Sequence, residues 1–304
     1  MVALSEQNRK VLAMGEEARE MIGKTPDDIS AYRPMQDGVI ADYKITEIML
    51  RYFLSKVLGK WNILRPDVVI SVPAGVTSTQ RRAVIEAAVN AGARTAYVIK
   101  EPILAAIGAG IHIHDSRGYM IVDIGGGTID VAIISLGGIV LSKSVKVAGD
   151  KIDSAIIDHM RKKHNLAIGE RTAEKIKRNI GSALHLDQDV SATIKGRDYL
   201  SGLPKTVRIT SNELVAAYEK ELRAMIQAIK DTLADVPPEL ASDIIDNGIV
   251  MSGGTSQLRK FPELVTQKTG VRSTLADDPL FCVARGTGVA LDHLDLYKKA
   301  LLSK

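Results

Sequence analysis

The sequence predicts an α/β protein with two lobes, and three observations support this fold class. The 304 residues are enough for two domains, and a hydrophobic fraction of 45% can supply a core for each. Strand-like and helix-like patterns alternate between residues 66 and 108. Residues 119–147 then form three β-rich stretches separated by glycines. Because no fixed-period repeat or low-complexity linker divides the sequence, we expect two lobes built from one continuous chain.

The alternation of strand and helix patterns in residues 66–108 predicts parallel strands with helices packed on them, since parallel neighbours need a crossover connection. Its first helix ends at Gly92, and its second has Pro102 in the first turn, where a missing N–H costs little. The segments are the strand DVVISV after Pro66, the helix QRRAVIEAAVNAGA, the strand TAYVIK and the helix EPILAAIGAG.

The later part predicts two strands joined by a glycine turn, because Val131 to Ile134 continues as strand, and then mostly helices. Strands are expected within residues 190–210 and at NGIVMS. One long helix, SNELVAAYEKELRAMIQAIKDTLADV, has Ser211 or Asn212 as candidate N-cap and stops at Pro237. Further predicted helices are residues 151–163, RTAEKIKRNIGSAL, SQLRKFPELVTQKTG and CVARGTGVALDHL.

Composition and charge name no partner, and the cysteine usage favours the cytosol. Basic pieces such as Arg81-Arg82 and residues 161–163 lack the interleaved aromatic residues of a single-strand binder, so no nucleic-acid partner is expected. Forty basic and 36 acidic residues leave a net charge of +4, spread without a basic tail. The single cysteine, Cys282, cannot form an internal disulfide, and its apolar neighbours favour a buried thiol over a nucleophile. Neither a signal peptide nor a membrane-spanning run is visible, so any membrane contact would be peripheral. His112 and His114 lack a further ligand at metal-site spacing.

The strongest local motif is DIGGGTID, from Asp123 to Asp130. A carboxylate at the end of a buried strand can face a hydrated Mg²⁺, and the backbone N–H groups of Gly125, Gly126, Gly127 and Thr128 can approach phosphate oxygens closely. The motif is neither a dinucleotide fingerprint nor a Walker loop. An ordinary glycine hairpin is the alternative, and the motif alone does not decide between them.

Three further features are candidates for nucleotide chemistry. Gly253, Gly254 and Thr255 lie where a strand meets a helix expected to start near Ser256, and free N–H groups at a helix start favour anions. Glu174 and Lys177 share one helix face and could hydrogen bond a nucleoside, although a surface ion pair is the commoner role of this spacing. Glu101, at a strand-to-helix junction, could orient a water for phosphoryl attack or simply favour the helix start.

A short apolar segment with flanking cations is a candidate membrane contact. Trp61, Ile63 and Leu64 lie between Lys60 and Arg65, and Trp61 is the only tryptophan of the chain. Burial of each large apolar side chain contributes about 1.5–3 kcal/mol, and each nearby cation roughly 1 kcal/mol at an anionic surface. Packing of Trp61 and Leu64 into the core is the alternative.

A series of segments in one order resembles the MreB family of bacterial actin homologues, within the superfamily of actin, sugar kinases and heat-shock chaperone ATPases. The resemblance runs across nearly all of the chain. The segments are MIGKTP, AYRPMQDGVIAD, RRAVIEAA, EPILAAIGAG, VDIGGGT, AGDKID, AIGERTAEKIK, PPELASDII and IVMSGGTSQL.

The resemblance implies an actin-like ATPase fold in which ATP, with GTP as the alternative, lies with Mg²⁺ between two lobes. It assigns the second phosphate loop to Asp123 and residues 125–128, with Asp123 facing the Mg²⁺ shell, and water positioning to Glu101. It places Glu174 and Lys177 at the nucleoside, and residues 253–255 on the opposite wall. The implied subdomains are IB (3–44), IA (45–110 and 290–304), IIA (111–151 and 219–289) and IIB (152–218).

The resemblance also implies a function. It predicts a weak ATPase that forms filaments on the inner face of the cell membrane through the loop containing Trp61, Ile63 and Leu64, together with the cell-wall elongation machinery and its membrane adaptor. Cell-wall synthesis and rod shape would be the processes served. A sugar or acid kinase and a chaperone-type ATPase are the alternatives on this fold.

Departures from the family pattern affect these expectations. The family begins with a strand and a D-x-G-T phosphate loop, whereas this chain opens with VALSEQNRKVLAMGEEAR, which resembles the segment after that hairpin. The first phosphate loop is therefore expected to be absent, through a misplaced translation start or shortening, or else in a naturally nucleotide-weak variant. Lys100 and Asp130 replace a second acid and a glutamate, which lowers the expected rate but not the expected nucleotide class.

Overall fold

A computed structural model describes residues 1–7, 9–36, 38–59 and 65–297. The chain divides into two compact units, one formed by residues 1–100 with 290–304 and the other by residues 101–289. The first unit contains β1 (Val2–Ser5), β2 (Val11–Met14), α1 (Glu16–Met21), β3 (Ile29–Tyr32), β4 (Met35–Gln36), β5 (Val39–Ile40), α2 (Tyr43–Leu58), β6 (Asp67–Val72), α3 (Ser78–Ala91) and β7 (Thr95–Lys100).

The first unit combines small sheets with two packed helices. Its antiparallel sheet has the order β2-β1-β3, and β4 pairs antiparallel with β5; the sequence predicts neither. The strands β6 and β7 form the parallel pair that the sequence predicts. The helix α3 starts at a capping box in which Thr77 and Gln80 each bond the other's backbone N–H. It ends at Gly92, whose φ of 119° is left-handed, so the predicted helix end is confirmed.

The second unit is built on a five-stranded sheet and a smaller three-stranded one. Its elements are α4 (Glu101–Gly108), β8 (Tyr119–Ile124), β9 (Ile129–Ser135), β10 (Gly138–Val145), α5 (Gly149–His164), β11 (Leu166–Ala167), α6 (Glu170–Ile180), β12 (Ser191–Asp198), β13 (Pro204–Thr210), α7 (Ser211–Ala217), α8 (Glu219–Ala234), α9 (Pro238–Asn247), β14 (Ile249–Ser252), α10 (Phe261–Thr269), β15 (Ser273–Leu275) and α11 (Cys282–Asp292).

The large sheet has the order β10-β9-β8-β14-β15, and its centre is buried. The strands β8, β14 and β15 are parallel, whereas β9 and β10 return antiparallel to β8. Every residue of β9 is buried, and Val122, Val131 and Ile133 belong to the main hydrophobic core. The three predicted β-rich stretches are confirmed, and the glycine turn of the strongest motif connects β8 to β9.

The small sheet has the order β11-β12-β13, with α5, α6 and α7 packed around it. The predicted strands within residues 190–210 are thus confirmed, and the short β11 is an addition that the sequence does not reveal. A two-residue strand carries too little pattern to be recognised.

The predicted single helix from residue 211 is wrong, because it breaks at Tyr218 into α7 and α8. The Tyr218 ring is fully buried, and its hydroxyl donates to the Ser182 carbonyl at 2.9 Å and accepts from the Ser182 N–H at 3.0 Å. This fixed side chain accompanies a non-helical backbone with ψ of 21°. The N-cap is Thr210, not Ser211 or Asn212, since the Thr210 hydroxyl accepts from the Glu213 N–H at 3.3 Å.

Two other predicted helices are shorter than expected. Residues 182 and 259 form an isolated parallel bridge, and the Ala183 N–H donates to the Arg259 carbonyl at 2.7 Å. Therefore α6 stops at Ile180, and the segment from Ser256 divides into a single 3₁₀ turn and, after the bridge, α10. An extended pairing of this kind cannot be made from helical backbone.

The predicted last helix, CVARGTGVALDHL, is confirmed as α11. Glycines in this helix allow it to pack closely against α4. A Cβ atom at Gly286 would lie 1.9 Å from the Leu104 carbonyl oxygen, and one at Gly108 would lie 1.8 Å from the Cys282 carbonyl oxygen. The helices α4 and α11 therefore approach closer than any side chain would allow.

Within the described residues, no helix is both long and apolar enough to cross a membrane.

Candidate functional site

Both predicted glycine turns follow neighbouring parallel strands of the large sheet. In the pairing of β8 with β14, Asp123 lies directly opposite Ser252. The turn after β8 holds residues 125–128, and the turn after β14 holds residues 253–255. Because the carboxyl ends of parallel strands meet at one sheet edge, where α/β proteins commonly bind ligands, the two turns lie side by side.

Asp123 is a buried carboxylate at this edge. Its side chain is 7% exposed, and its Oδ1 accepts a hydrogen bond from the Ser252 hydroxyl at 2.7 Å. Burial raises its pKa to about 6, with a smaller rise from Asp130 opposite on β9, while the Ser252 hydrogen bond acts against the rise. A cation beside Asp123 would favour the charged carboxylate, which fits the predicted metal-facing role.

The two glycine turns are bonded to each other. The Gly125 N–H donates to the Thr128 carbonyl at 3.0 Å and closes the first turn. The Thr255 hydroxyl of the second turn donates to the Gly125 carbonyl at 2.7 Å. Gly253 has a φ of +85°, and a Cβ there would lie 2.3 Å from the Ile124 carbonyl oxygen. Only glycine fits this close, left-handed position.

The start of α5 completes the cluster around Gly125. The Gly149 N–H donates to the Gly125 carbonyl at 3.3 Å, and the Asp150 N–H donates to the Gly126 carbonyl at 2.8 Å. A Cβ on Gly149 would lie 2.5 Å from the Thr255 hydroxyl oxygen and 3.1 Å from the Lys177 Nζ. Three separate chain segments therefore meet where a side chain on Gly149 would be.

Lys177 reaches this meeting point from α6. Its Nζ donates to the Gly149 carbonyl at 3.0 Å and to the Asp153 Oδ2 at 2.9 Å. The side chains of Lys177 and Asp153 are each 12% exposed, so the ion pair is mostly removed from water. The structure thus places the Lys177 ammonium beside Gly149, with its charge largely balanced by Asp153.

One prediction about the second turn is wrong. Residues 255–257 form a single 3₁₀ turn with Gly254 preceding it, so no α-helix starts near Ser256. The proposed attraction of anions by a helix start therefore does not apply at this turn. Gly253, Gly254 and Thr255 keep their predicted place beside the first turn, through the contacts of Gly253 with Ile124 and of Thr255 with Gly125.

The structure shows where Glu101 and Glu174 lie. Glu101 is the first residue of α4 and follows β7 directly, as the sequence indicates, and it is half-buried. Glu174 lies on α6, one turn before Lys177, and is also half-buried. The role of Glu101 in positioning water, and that of Glu174 and Lys177 in contacting a nucleoside, stay predictions. Trp61, Ile63 and Leu64 lie outside the described residues.

A family model described as MreB/Mbl protein matches residues 1–299. The chain belongs to the MreB/Mbl family. It is 44% identical over 303 residues to the cell shape-determining protein Mbl of Bacillus subtilis, covering 100% of this chain and 91% of that protein. It is also 44% identical over 298 residues to the cell shape-determining protein MreB of Escherichia coli, covering 97% of this chain and 86% of that protein.

Solved structures confirm the predicted actin-like α/β fold of this MreB/Mbl chain. MreB5 of Spiroplasma citri bound to ADP matches with a TM-score of 0.91 and 36% identity, covering 98% of this chain and 90% of that one. A MamK double helical filament structure matches with a TM-score of 0.79 at 24% identity, over 96% of this chain and 90% of that one, and this shows the fold alone.

Three residues that shape the site of this family member were not among the candidates identified from the sequence. Ser252 bonds Asp123, Gly149 admits the Thr255 and Lys177 side chains, and Asp153 pairs with Lys177. The segment AGDKID, which carries the resemblance, contains Gly149 and ends at Asp153, so it could have drawn attention to both. Cys282 is confirmed as fully buried, and burial raises the pKa of its thiol, which makes it a poor nucleophile.

Proposed function

We propose that this chain is an adenine-nucleotide-binding, actin-like cytoskeletal protein that forms filaments and determines cell shape. Membership of a family of cell shape-determining proteins, Mbl and MreB, supports the cytoskeletal role. The observation that carries the nucleotide site is the pair of interlocked glycine turns at the carboxyl ends of β8 and β14, with Asp123 and Lys177 beside them.

The nucleotide phosphates would be bound by the turn of residues 125–128. Backbone N–H groups of a glycine turn can approach phosphate oxygens without steric conflict. Structures of MreB5 of Spiroplasma citri bound to ADP and to AMPPNP support an adenine nucleotide over a guanine nucleotide. Glu174 and Lys177 would face the nucleoside, and residues 253–255 would form the opposite wall.

Asp123 is the residue of this chain that suits a Mg²⁺ ion accompanying the nucleotide. Its oxygen atoms are the ligand type that Mg²⁺ prefers, directly or through water, and its raised pKa marks a carboxylate that gains from a nearby cation. The bound Mg²⁺ would neutralise phosphate charge. Glu101 would orient the attacking water, giving the weak ATPase that the family resemblance implies.

Filaments on the inner face of the cell membrane are part of the proposal. The sequence segment with Trp61, Ile63 and Leu64 supports peripheral membrane binding, because apolar side chains flanked by cations suit an anionic lipid surface. One such segment binds weakly, but a filament repeats it and increases the effective concentration. The cell-wall elongation machinery and its membrane adaptor are the proposed partners. The comparisons give no support to the kinase or chaperone alternatives.

The variant Asp123→Asn tests the site, because it should affect ligand binding and stability in opposite directions. We expect calorimetry in excess Mg²⁺ to show ATP binding by the native chain and its loss, by at least about tenfold in affinity, in the variant. Sedimentation and electron microscopy with ATP should show nucleotide-dependent filaments that the variant fails to form.

The stability of Asp123→Asn in chelator, without nucleotide, supplies the second readout. The folded-state pKa of Asp123 is raised from 3.8 to about 6. Between these pH values the folded chain holds a proton on Asp123 that the unfolded chain has lost, so the stability of the native chain falls as pH rises from 3.8 to about 6. Above about pH 6 the free energy of unfolding of the variant should therefore exceed that of the native chain by up to about 3 kcal/mol. Asp158→Asn, in an exposed pair with Arg161, is the control. Native-like ATP affinity in Asp123→Asn would show that Asp123 does not take part in nucleotide binding.

A further inference from the structure

Two histidines and a glutamate converge at the end of α5 distant from the glycine turns. His159 and His164 belong to α5, and Glu213 belongs to α7. The Nε2 atoms of the two histidines lie 2.8 Å and 2.5 Å from the same oxygen, Oε1 of Glu213. Candidate ligand atoms of the three side chains all lie within 4.8 Å of one another.

The cluster is sheltered but reachable from solvent. The side chains of His159, His164 and Glu213 are 18%, 17% and 15% exposed. The two imidazole rings are 5.9 Å apart between centroids and inclined by 65°, so they do not stack on each other. A small ion could therefore enter the space bounded by the two rings and the carboxylate without unfolding either helix.

We propose that His159, His164 and Glu213 form a binding site for a divalent transition-metal ion of the zinc class. Two imidazoles and one carboxylate are a ligand set that Zn²⁺ uses, with a water in the fourth position. Imidazole nitrogen suits Zn²⁺, Ni²⁺ and Co²⁺ and is a poor ligand for Mg²⁺, so this site is distinct from the nucleotide site in chemistry as well as place.

The present distances require only a small adjustment to admit the ion. Bond lengths of about 2.0–2.2 Å in a tetrahedral zinc site place neighbouring ligand atoms roughly 3.3 Å apart. The histidine nitrogens are 2.8 Å and 2.5 Å from the Glu213 oxygen, so the side chains would separate by less than about 1 Å. Each ring would carry its proton on Nδ1, which leaves the Nε2 lone pair for the metal.

The surrounding charges modulate the site. Lys163 Nζ lies 3.3 Å from the Glu213 oxygen and competes directly with a cation. Lys205 Nζ donates to the His164 carbonyl at 2.7 Å and to Asp198 at 2.8 Å, so its charge is partly neutralised and directed at the backbone. Removal of the Lys163 charge should therefore strengthen metal binding. In a cluster held only by ion pairs, the same change would weaken the cluster.

Metal binding would cross-link the carboxyl end of α5 to α7, since the ligands come from both helices. An ion that binds the folded chain and not the unfolded chain raises the melting temperature. The site gives the chain a metal-dependent stability that is independent of nucleotide.

Calorimetry with ZnCl₂ on the full chain, without nucleotide and in excess Mg²⁺, tests the proposal. We expect one Zn²⁺ per chain and an increase in melting temperature, and Co²⁺ in its place should give the visible absorption of a tetrahedral site. His159→Gln and His164→Gln should each weaken Zn²⁺ binding by at least about tenfold. His185→Gln changes an exposed histidine outside the cluster and should leave binding unchanged.

Lys163→Gln sharpens the test, because it should tighten Zn²⁺ binding severalfold. Far-ultraviolet circular dichroism and ATP binding identify any variant that has lost its fold, and the Lys163→Gln result stands without the histidine variants. Native-like Zn²⁺ affinity in both His159→Gln and His164→Gln would overturn the proposal. Equal weakening by His185→Gln, or weaker binding by Lys163→Gln, would overturn it as well.

Discussion

The two ends of α5 each carry a cluster of charged side chains, and the clusters are built differently. At the amino end, Lys177 pairs with Asp153 and reaches the Gly149 carbonyl, among segments joined by backbone hydrogen bonds. At the carboxyl end, His159, His164 and Lys163 surround Glu213 through side chains alone. One helix thus connects a tightly packed polar site with a looser one.

The two clusters differ in how well they tolerate substitution. A Cβ atom on Gly149 would lie 2.5 Å from the Thr255 hydroxyl oxygen, so the amino end has no spare space. At the carboxyl end the Lys163 side chain is 56% exposed, and water can replace a lost partner. We expect substitutions at the amino end to cost more stability, and the effects to fall from Lys177 through Gly149 to Glu213.

Lys177→Met should have the largest effect. It removes the cation paired with Asp153 and leaves a carboxylate that is only 12% exposed, and loss of one partner from a buried pair costs about 3 kcal/mol. Urea unfolding measured by circular dichroism would show the loss as a lower midpoint with an unchanged slope. The variant should also weaken ATP binding, since Lys177 is a proposed contact of the nucleoside.

Lys175→Met is the matched control, because Lys175 is exposed on the same helix. It should change the free energy of unfolding by less than about 0.5 kcal/mol. Equal losses in the Lys175 and Lys177 variants would show that the Lys177–Asp153 pair contributes nothing specific and would remove the contrast between the two ends of α5.

Gly149→Ala should have an intermediate effect, with a loss of about 1–3 kcal/mol from overpacking. The new methyl group must displace the Thr255 hydroxyl or the Lys177 ammonium, which would lie 2.5 Å and 3.1 Å from it. In a Thr255→Ala background the nearest obstacle is removed. The cost of Gly149→Ala should therefore fall, and a double-mutant cycle on urea midpoints measures this coupling.

Gly288→Ala is the control of opposite sign. It lies within α11, and a Cβ there meets no atom within 4 Å. This substitution should stabilise the chain by about 0.5–1 kcal/mol, because alanine has the higher helix propensity. A stabilising Gly149→Ala would mean that the amino end of α5 has more room than its contacts indicate.

The sequence predicts the sheet and its glycine turns because their signals are local. The segments DVVISV, TAYVIK and residues 119–147 have strong strand patterns, and the tight turns have glycine where backbone must approach backbone. The break at Tyr218 and the ends of the helices near residues 182 and 259 were not predictable, since they depend on the pairing of segments far apart in sequence. Periodicity within one segment contains no information about such contacts.

The same distinction applies to the candidate sites. Asp123 and residues 125–128 are contiguous, so the sequence identifies them together. Asp153 is 24 residues from Lys177, and Glu213 is 49 residues from His164. The five-residue spacing of His159 and His164 is not that of two ligands on one helical face. The pair His112 and His114 drew more attention in the sequence, yet both side chains are exposed and no third ligand joins them within the described residues.

Glu213→Gln should have the smallest effect of the three, with a distinct pH dependence. Burial raises the pKa of Glu213, but hydrogen bonds from His159, His164 and Lys163 outweigh it and lower the pKa from 4.5 to about 2. A depressed folded-state pKa contributes stability above the unfolded value. This contribution is lost as pH falls from 4.5 towards 2, because in this range the unfolded chain takes up a proton on Glu213 while the folded chain keeps the carboxylate ionised.

At pH 7, in chelator to exclude metal, Glu213→Gln should therefore lower the free energy of unfolding by about 1 kcal/mol, since solvent near the partly exposed cluster screens the interaction. The difference from the native chain should shrink as pH is lowered through 4.5 and vanish near pH 2. Glu219→Gln, in an exposed pair with Arg223, should show almost no difference at any pH. A Glu213→Gln deficit that is constant from pH 7 to pH 3 would assign the stabilisation to packing of the side chain and not to its charge.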